Sequence, residues 1–162
     1  MDPRLFLTVA QTLVESVRPS STAPSRPCEA ECRSAAGRAY YAAFLTAHEF
    51  LFWTGVRVLK NAGCHTGVQY ALNNSGHAIL RQVATALNTL AEFRRAADYD
   101  MQDGDVGRVA QADHIVQSGR TAILLLDALR NPRSATPFDR AAVANSILAY
   151  AAQNGQANIQ RR

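Results

Sequence analysis

The sequence has almost no lysine and no long apolar run. Of its 17 basic residues, 16 are arginine, and the only lysine is Lys60. No stretch approaches the roughly 18 uninterrupted apolar residues that would suggest a transmembrane helix. The start, MDPRLFLTVAQTLVES, has an acid at position 2 and polar residues throughout, which predicts an amphipathic helix and not a signal peptide. We therefore expect a cytoplasmic protein that makes no membrane contact.

Several chemical classes are also poorly represented. The three cysteines, Cys28, Cys32 and Cys64, are odd in number, which argues against a disulfide scaffold. A zinc site would need these thiols to converge with His65, and we do not expect one. No glycine-rich phosphate loop follows a strand, and no Glu-x-x-His pairs suggest a di-iron bundle. We expect neither a metal nor a cofactor.

The overall composition is that of an ordinary globular chain. Apolar residues make up 48% of the 162 residues and charged residues 19%, with a formal net charge of +4. A chain of this length can bury a substantial core. Arginine suits bidentate contacts with phosphate, so the mild positive balance permits an RNA or nucleotide partner without requiring one.

Helical periodicity dominates the chain. It predicts a first helix from Asp2 and Pro3 to about Arg18, a loop over PSSTAPSRP, and further helices over about 28–53, 65–72, 75–100 with Ser75 as a possible cap, 105–129, and from about Phe138 into a polar tail. No run of alternating β-branched residues predicts a strand. We therefore expect an all-α, up-and-down bundle of about five or six helices. It would form a single domain over 1–162, with its core in about 2–130 and a C-terminal helix and tail in 137–162.

The second helix carries two neighbouring stripes when its residues are placed at 100° intervals. One contains the aromatic residues Tyr40 and Phe44 and should face the core. The other contains Ser34, Arg38 and Tyr41. Arg38 would either extend from a helix interface to water or point into a groove of the bundle. Gly37, unfavourable inside a helix, would allow a neighbouring helix to approach closely.

The later segment FRRAADYD places unusual polar chemistry at a helix end. Arg94 and Asp98 are four residues apart and therefore share a helix face. They would form either a surface salt bridge or a polar cluster that faces Arg38. In both cases we expect the Asp98 carboxylate to pair with an arginine, either Arg38 or Arg94.

Three segments together resemble the HEPN superfamily of small helical domains, found in prokaryotic toxin, defence and RNA-processing systems. RSAAGRAYYAAF resembles the motif R-S-A-x-S-R-A-Y-Y-A-x-F, with Gly37 in place of its second serine. HTGV resembles H-S-G-V, with Thr66 for serine. FRRAADYD resembles L-R-x-x-A-D-Y-D, with Phe93 for leucine. The motifs occur in order and cover most of residues 28–125.

The resemblance implies specific roles for these residues. HEPN nucleases carry an arginine that holds the scissile phosphate and, a few residues later, a histidine that transfers a proton, and two copies meet at a dimer interface. Arg94 matches the arginine, but Tyr99 occupies the histidine position. A phenol with an ordinary pKa of about 10 is a poor general base at neutral pH. His65 is the alternative proton carrier.

The resemblance leaves three functions open: a metal-independent endoribonuclease, a non-catalytic interaction module whose polar motif is an Arg38–Asp98–Tyr99 network, and a subunit partnered with a nucleotidyltransferase-like antitoxin or another defence-system protein. The predicted partner is RNA or a nucleotide, and aromatic residues continuing through Phe50, Phe52 and Trp53 suggest a homodimer. The predicted catalytic residues are Arg94, Tyr99, Asp98 and His65, and the predicted substrate-binding residues are Arg33, Arg38, Tyr41, Ser34 and Asp100.

Overall fold

The fold is an all-α helical bundle, and helix accounts for 76% of the described structure. A computed structural model describes residues 2–18, 29–100, 105–131, 133 and 137–162. The elements within these ranges are α1 (Arg4–Val17), α2 (Glu29–Thr54), β1 (Val56–Val58), α3 (Cys64–Asn73), α4 (Ala78–Tyr99), α5 (Val109–Arg130), α6 (Arg140–Gln153) and β2 (Ile159–Arg161). None of these helices combines the length and the hydropathy that a membrane span requires.

The predicted helices correspond closely to the observed ones, while their caps differ in detail. The Asp2 carboxylate accepts from the Arg4 backbone N–H at 2.9 Å, as expected for a residue that caps α1. Ser75 does not cap α4, because its hydroxyl accepts from the His77 N–H, before that helix begins. Asp139 caps α6 by accepting from the Ala142 N–H. The predicted PSSTAPSRP loop lies outside the described residues.

The chain divides into two compact units. The first contains Met1–Ala43 and Ala86–Thr121, and the second contains Phe44–Thr85 and Ala122–Arg162. The long helices α2, α4 and α5 contribute residues to both. The prediction of a single domain over 1–162 stays a prediction.

The first unit has a core of small and aliphatic side chains. In α2 the fully buried residues include Ala35 and Ala39, and in α4 they include Leu87 and Leu90. On α1 the buried face is formed by Ala10, Val14 and Val17, whereas the apolar residues Leu5 and Val9 are 55% and 47% exposed. Because residues four apart are offset by about 40° around a helix at each step, an apolar row that starts at Leu5 and Val9 cannot lie entirely on the buried face.

The second unit contains a short antiparallel ribbon that the sequence did not predict. In β1 and β2, Val56 pairs with Arg161, Arg57 with Gln160, and Val58 with Ile159. Val56, Val58 and Ile159 are buried, while Arg57 is exposed. The expectation of no strand was therefore wrong, because three residues are too few for an alternating pattern to be recognised. The expected polar tail also ends in this pairing.

Two helical glycines differ in what surrounds them. A Cβ added at Gly37 would meet nothing within 4 Å, so the prediction that Gly37 allows close helix approach was wrong. The close approach is at Gly119 of α5, where a Cβ would lie 3.1 Å from the Ala39 carbonyl oxygen of α2. The absence of a side chain at Gly119 lets these two helices pack.

These glycines provide a matched pair for stability measurements. Gly37→Ala should raise the free energy of unfolding by about 0.5–1 kcal/mol, because alanine is the better helix former and the site is open. Gly119→Ala gains the same helix propensity, but the added methyl group overpacks the interface between the helices. Overpacking typically lowers the free energy of unfolding by about 1–3 kcal/mol. Urea unfolding should therefore show Gly119→Ala to be less stable than wild type. Equal stabilisation by both substitutions would contradict the close packing at Gly119.

Candidate functional site

Five of the predicted site residues line one open groove in the first unit. The groove has a volume of about 430 Å³, and its lining residues are Arg33, Ser34, Gly37, Arg38, Tyr41, Ala97 and Asp98. Those from α2 recur every three or four residues and so occupy adjacent turns of one helix side. The α4 residues belong to the last turns of that helix. The groove thus joins the first and third sequence motifs.

Arg33 forms the floor of this region and is 7% exposed. Its Nη1 donates to the carbonyl oxygens of Ala96, Ala97 and Asp100 at 3.1, 3.3 and 2.9 Å. Its Nε donates to the Glu29 carboxylate at 2.7 Å. Carbonyls in the last turn of a helix have no partner within the helix, and the macrodipole makes that end negative. Since α4 has no basic residue of its own in its last turn, Arg33 of α2 supplies the missing donors.

Arg94 and Asp98 form the expected ion pair. Arg94 Nε lies 2.6 Å from Asp98 Oδ2, and the two side chains are 26% and 38% exposed. The contact is between charges and is not an aligned hydrogen bond, because the buried Nε has no hydrogen-bond partner in the described part of the chain. Burial alone would lower the pKa of Arg94, but the negative charge of Asp98 and the nearby tyrosine oxygens outweigh it and raise the pKa.

Two tyrosine rings flank the Arg94 guanidinium. Its central carbon lies 5.7 Å from the Tyr41 ring centre and 5.8 Å from that of Tyr99. Cation–π contacts at this distance contribute about 0.5–1 kcal/mol at exposed sites. Tyr41 also meets Tyr40 edge to face, at 5.4 Å between ring centres. Tyr99 remains 75% exposed, so its ring and hydroxyl are open to a ligand.

Arg38 differs from Arg33 and Arg94 in its contacts. Its side chain is exposed, and its guanidinium carbon lies 5.6 Å from the Phe6 ring centre on α1. It forms no ion pair with the described residues. The hypothesis of a buried Arg38–Asp98–Tyr99 network was therefore wrong: Asp98 pairs with Arg94, and Tyr99 is solvent-exposed. The Phe6 contact was not foreseen, because no periodic or motif signal links it to Arg38.

The remaining predicted site residues have separate positions. Ser34 is exposed beside Arg38 on the groove wall. Asp100 directly follows α4, and its carbonyl oxygen accepts from Arg33. His65 belongs to the second unit, where its ring stacks on Phe44 with centres 4.2 Å apart. His65 is not among the residues that line the groove.

No group of three or more His, Cys, Asp and Glu side chains in the described ranges is arranged to hold a metal ion. Cys32 and Cys64 are buried thiols that form no disulfide, and Cys28 lies outside those ranges. Burial raises the pKa of Cys64, and the positive charge of Lys60 partly opposes that rise. The polar chemistry of the groove therefore comes from arginine, serine, tyrosine and aspartate.

Arg33 and Arg38 allow a direct test of this assignment of roles. Arg33→Met keeps much of the side-chain volume but removes the buried donor that serves the carbonyls at the end of α4, so it should lower the free energy of unfolding by about 3 kcal/mol. Arg38→Met, on the same helix but exposed, should change it by no more than about 0.5 kcal/mol. Urea unfolding followed by circular dichroism measures both. Equal effects would refute the structural role of Arg33.

No protein-family model, no curated protein and no solved structure matches the chain. The resemblance to the HEPN superfamily therefore rests on the three sequence motifs and is carried forward as a proposal.

Proposed function

We propose that this chain is a HEPN-like protein of a toxin–antitoxin or defence-type system that binds RNA or a nucleotide in the groove. The observation that supports this proposal is the state of Arg38. It is an exposed cation without a carboxylate partner in the described part of the chain, and it lies in a groove that also presents Ser34 and Tyr41. A guanidinium can hold a phosphate through two parallel hydrogen bonds, and a serine hydroxyl can add a third.

The exposed aromatic ring of Tyr99 supports a nucleic-acid ligand over a simple anion. Bases stack on tyrosine whatever their identity, with about 1–3 kcal/mol lost per base when the ring is removed. Tyr99 lies against Arg94 and is 75% exposed. In this proposal Arg38 and Ser34 hold a phosphate and Tyr99 supports an unpaired base, as in binding to single-stranded RNA.

The charge balance of the groove limits how many phosphates it can hold. Arg94 is offset by Asp98, and Arg33 is occupied by Glu29 and the α4 carbonyls. Of the two arginines that line the groove, Arg38 alone remains an available cation. We therefore propose recognition of one phosphate group, with a correspondingly weak dependence of affinity on salt.

A metal-independent endoribonuclease is the second candidate, favoured by the contact between Arg94 and Tyr99. A guanidinium can stabilise charge on a phosphate undergoing cleavage, and Tyr99 is close enough to act beside it. The Asp98 carboxylate makes this role less favourable, because a phosphate would have to compete with Asp98 for the Arg94 guanidinium. If cleavage is absent, the same residues act as a non-catalytic interaction surface.

A nucleotidyltransferase-like antitoxin or other defence-system protein is proposed as a partner from the resemblance alone, whereas the proposed homodimer also rests on the aromatic residues at the end of α2. Some of the aromatic residues that suggested a dimer pack against other residues of the same chain. Phe50 is fully buried and packs against Trp53 and Phe138, while Phe52 is 41% exposed. The homodimer stays a prediction.

Binding to a fluorescent single-stranded RNA tests the groove directly. Arg38→Met should weaken binding about tenfold or more, because it removes a charged hydrogen-bond donor without affecting the core. The slope of log affinity against log salt should be about −0.7 for wild type, as expected for one phosphate contact to a single strand. Arg120→Met removes an exposed arginine of α5 and is the control. Equal affinities for both variants would contradict the proposed site.

Cleavage of RNA in the presence of a chelator tests the catalytic version. Arg94→Ala should slow cleavage about 10²- to 10³-fold. Because the Arg94–Asp98 pair is partly exposed, the substitution should lower stability by only about 1 kcal/mol. Tyr99→Phe and His65→Ala then identify the proton carrier. Failure of wild type to cleave RNA that it binds, with or without its partner, would reject the ribonuclease and leave the binding proposal intact.

A further inference from the structure

A second pocket, lined by charged and apolar side chains, lies in the other unit, beside the β ribbon. Its volume is about 370 Å³, and it is lined by His48, Glu49, Phe52, Arg57, Val58 and Lys60. Ligand pockets for small molecules typically measure about 300–1,000 Å³. None of these residues lines the Arg38 groove, so the pocket is a separate candidate site.

The charged side chains of this pocket are not neutralised by one another. Arg57, Lys60 and Glu49 are all exposed, and none forms an ion pair with a residue in the described ranges. Arg33 and Arg94, by contrast, each contact a carboxylate. Two cations and one carboxylate therefore converge on the same space with their hydrogen-bonding capacity available to a ligand.

An exposed aromatic ring completes the pocket. Phe52 keeps 41% of its surface exposed. The Arg162 guanidinium carbon lies 4.0 Å from the Phe52 ring centre, which brings a third cation beside the pocket. A flat ring next to several cations matches a ligand that contains both an aromatic base and a phosphate.

The pocket wall is fixed by hydrogen bonds. His48 Nε2 lies 3.1 Å from the Val58 carbonyl oxygen. Since a carbonyl can only accept, this nitrogen carries the proton and the contact ties α2 to β1. The Arg57 backbone is held in register opposite Gln160. The Arg162 N–H donates to the Gly55 carbonyl at 2.9 Å, which holds the Arg162 backbone beside the ribbon.

We propose that this pocket binds a free nucleoside phosphate. Arg57 and Lys60 hold the phosphates, the base packs on the part of the Phe52 ring that Arg162 leaves exposed, and Glu49 accepts hydrogen bonds from a ribose hydroxyl or an exocyclic amine. One ligand then contacts both the cations and the carboxylate of the pocket, whereas a purely anionic ligand would contact only the cations. The site is independent of the RNA groove and of the function proposed for it.

Isothermal titration calorimetry on the full chain tests the site at low salt, where exposed charges are least screened. The probes are ATP, GTP, CTP and UTP, with inorganic pyrophosphate as the ligand that lacks a base. At least one nucleotide should bind more tightly than about 1 mM, and more tightly than pyrophosphate. The double variant Arg57→Gln/Lys60→Gln should weaken that nucleotide about tenfold or more. Arg81→Gln, an exposed arginine of α4, should leave it unchanged.

Phe52→Leu separates base recognition from anion binding. It should weaken the nucleotide while leaving pyrophosphate affinity unchanged, because leucine lacks a flat ring for stacking. Circular dichroism should show that every variant is folded, since the substituted side chains are exposed. The proposal is overturned if no nucleotide binds, if pyrophosphate binds as tightly as the best nucleotide, or if Arg38→Met abolishes binding while the double variant does not.

Discussion

The hydrogen bonding of Arg33 is the interaction on which the candidate site depends. The Arg33 guanidinium, which is nearly inaccessible to solvent, donates hydrogen bonds to three carbonyl oxygens at the C-terminal end of α4. It thereby fixes the position of α4's last turns against α2. Asp98 follows Ala97 directly, and Tyr99 is the last residue of α4. The positions of these two exposed residues therefore depend on the hydrogen bonds of the buried Arg33. A charged residue that satisfies buried acceptors specifies geometry in a way that an apolar contact cannot.

The arginines of the first unit illustrate how one residue type takes different roles through its surroundings. Arg33 donates hydrogen bonds to backbone carbonyls, whereas Arg94 contacts a carboxylate and two tyrosine rings. Arg38 rests on Phe6 and keeps its hydrogen-bond donors in water. The distinction decides which of them a phosphate can recruit without breaking an existing contact. The number of positive charges alone would predict that all three arginines bind the ligand.

The helices were predictable from sequence because their signals are local. Periodicity over ten or more residues indicates a helix, and a spacing of four residues brought Arg94 and Asp98 together as expected. Helical spacing also placed Ser34, Arg38 and Tyr41 on one face of α2, and all three line the groove. The role of Arg33 was not predictable, because its carbonyl acceptors are 63 to 67 residues away in sequence. The three-residue strands and the Phe6–Arg38 contact were missed for related reasons: the strands are too short for periodicity, and the contact joins different helices.

The single lysine has a consequence for chemical modification. Lys60 is the only lysine side chain and lies in the pocket beside the β ribbon. Acetylation would remove its charge, and no other side chain of the chain would be a target for the same reaction at an ε-amine. An enzyme that acylates lysine side chains would therefore alter one defined surface of the protein and leave the arginine side chains of the groove unmodified.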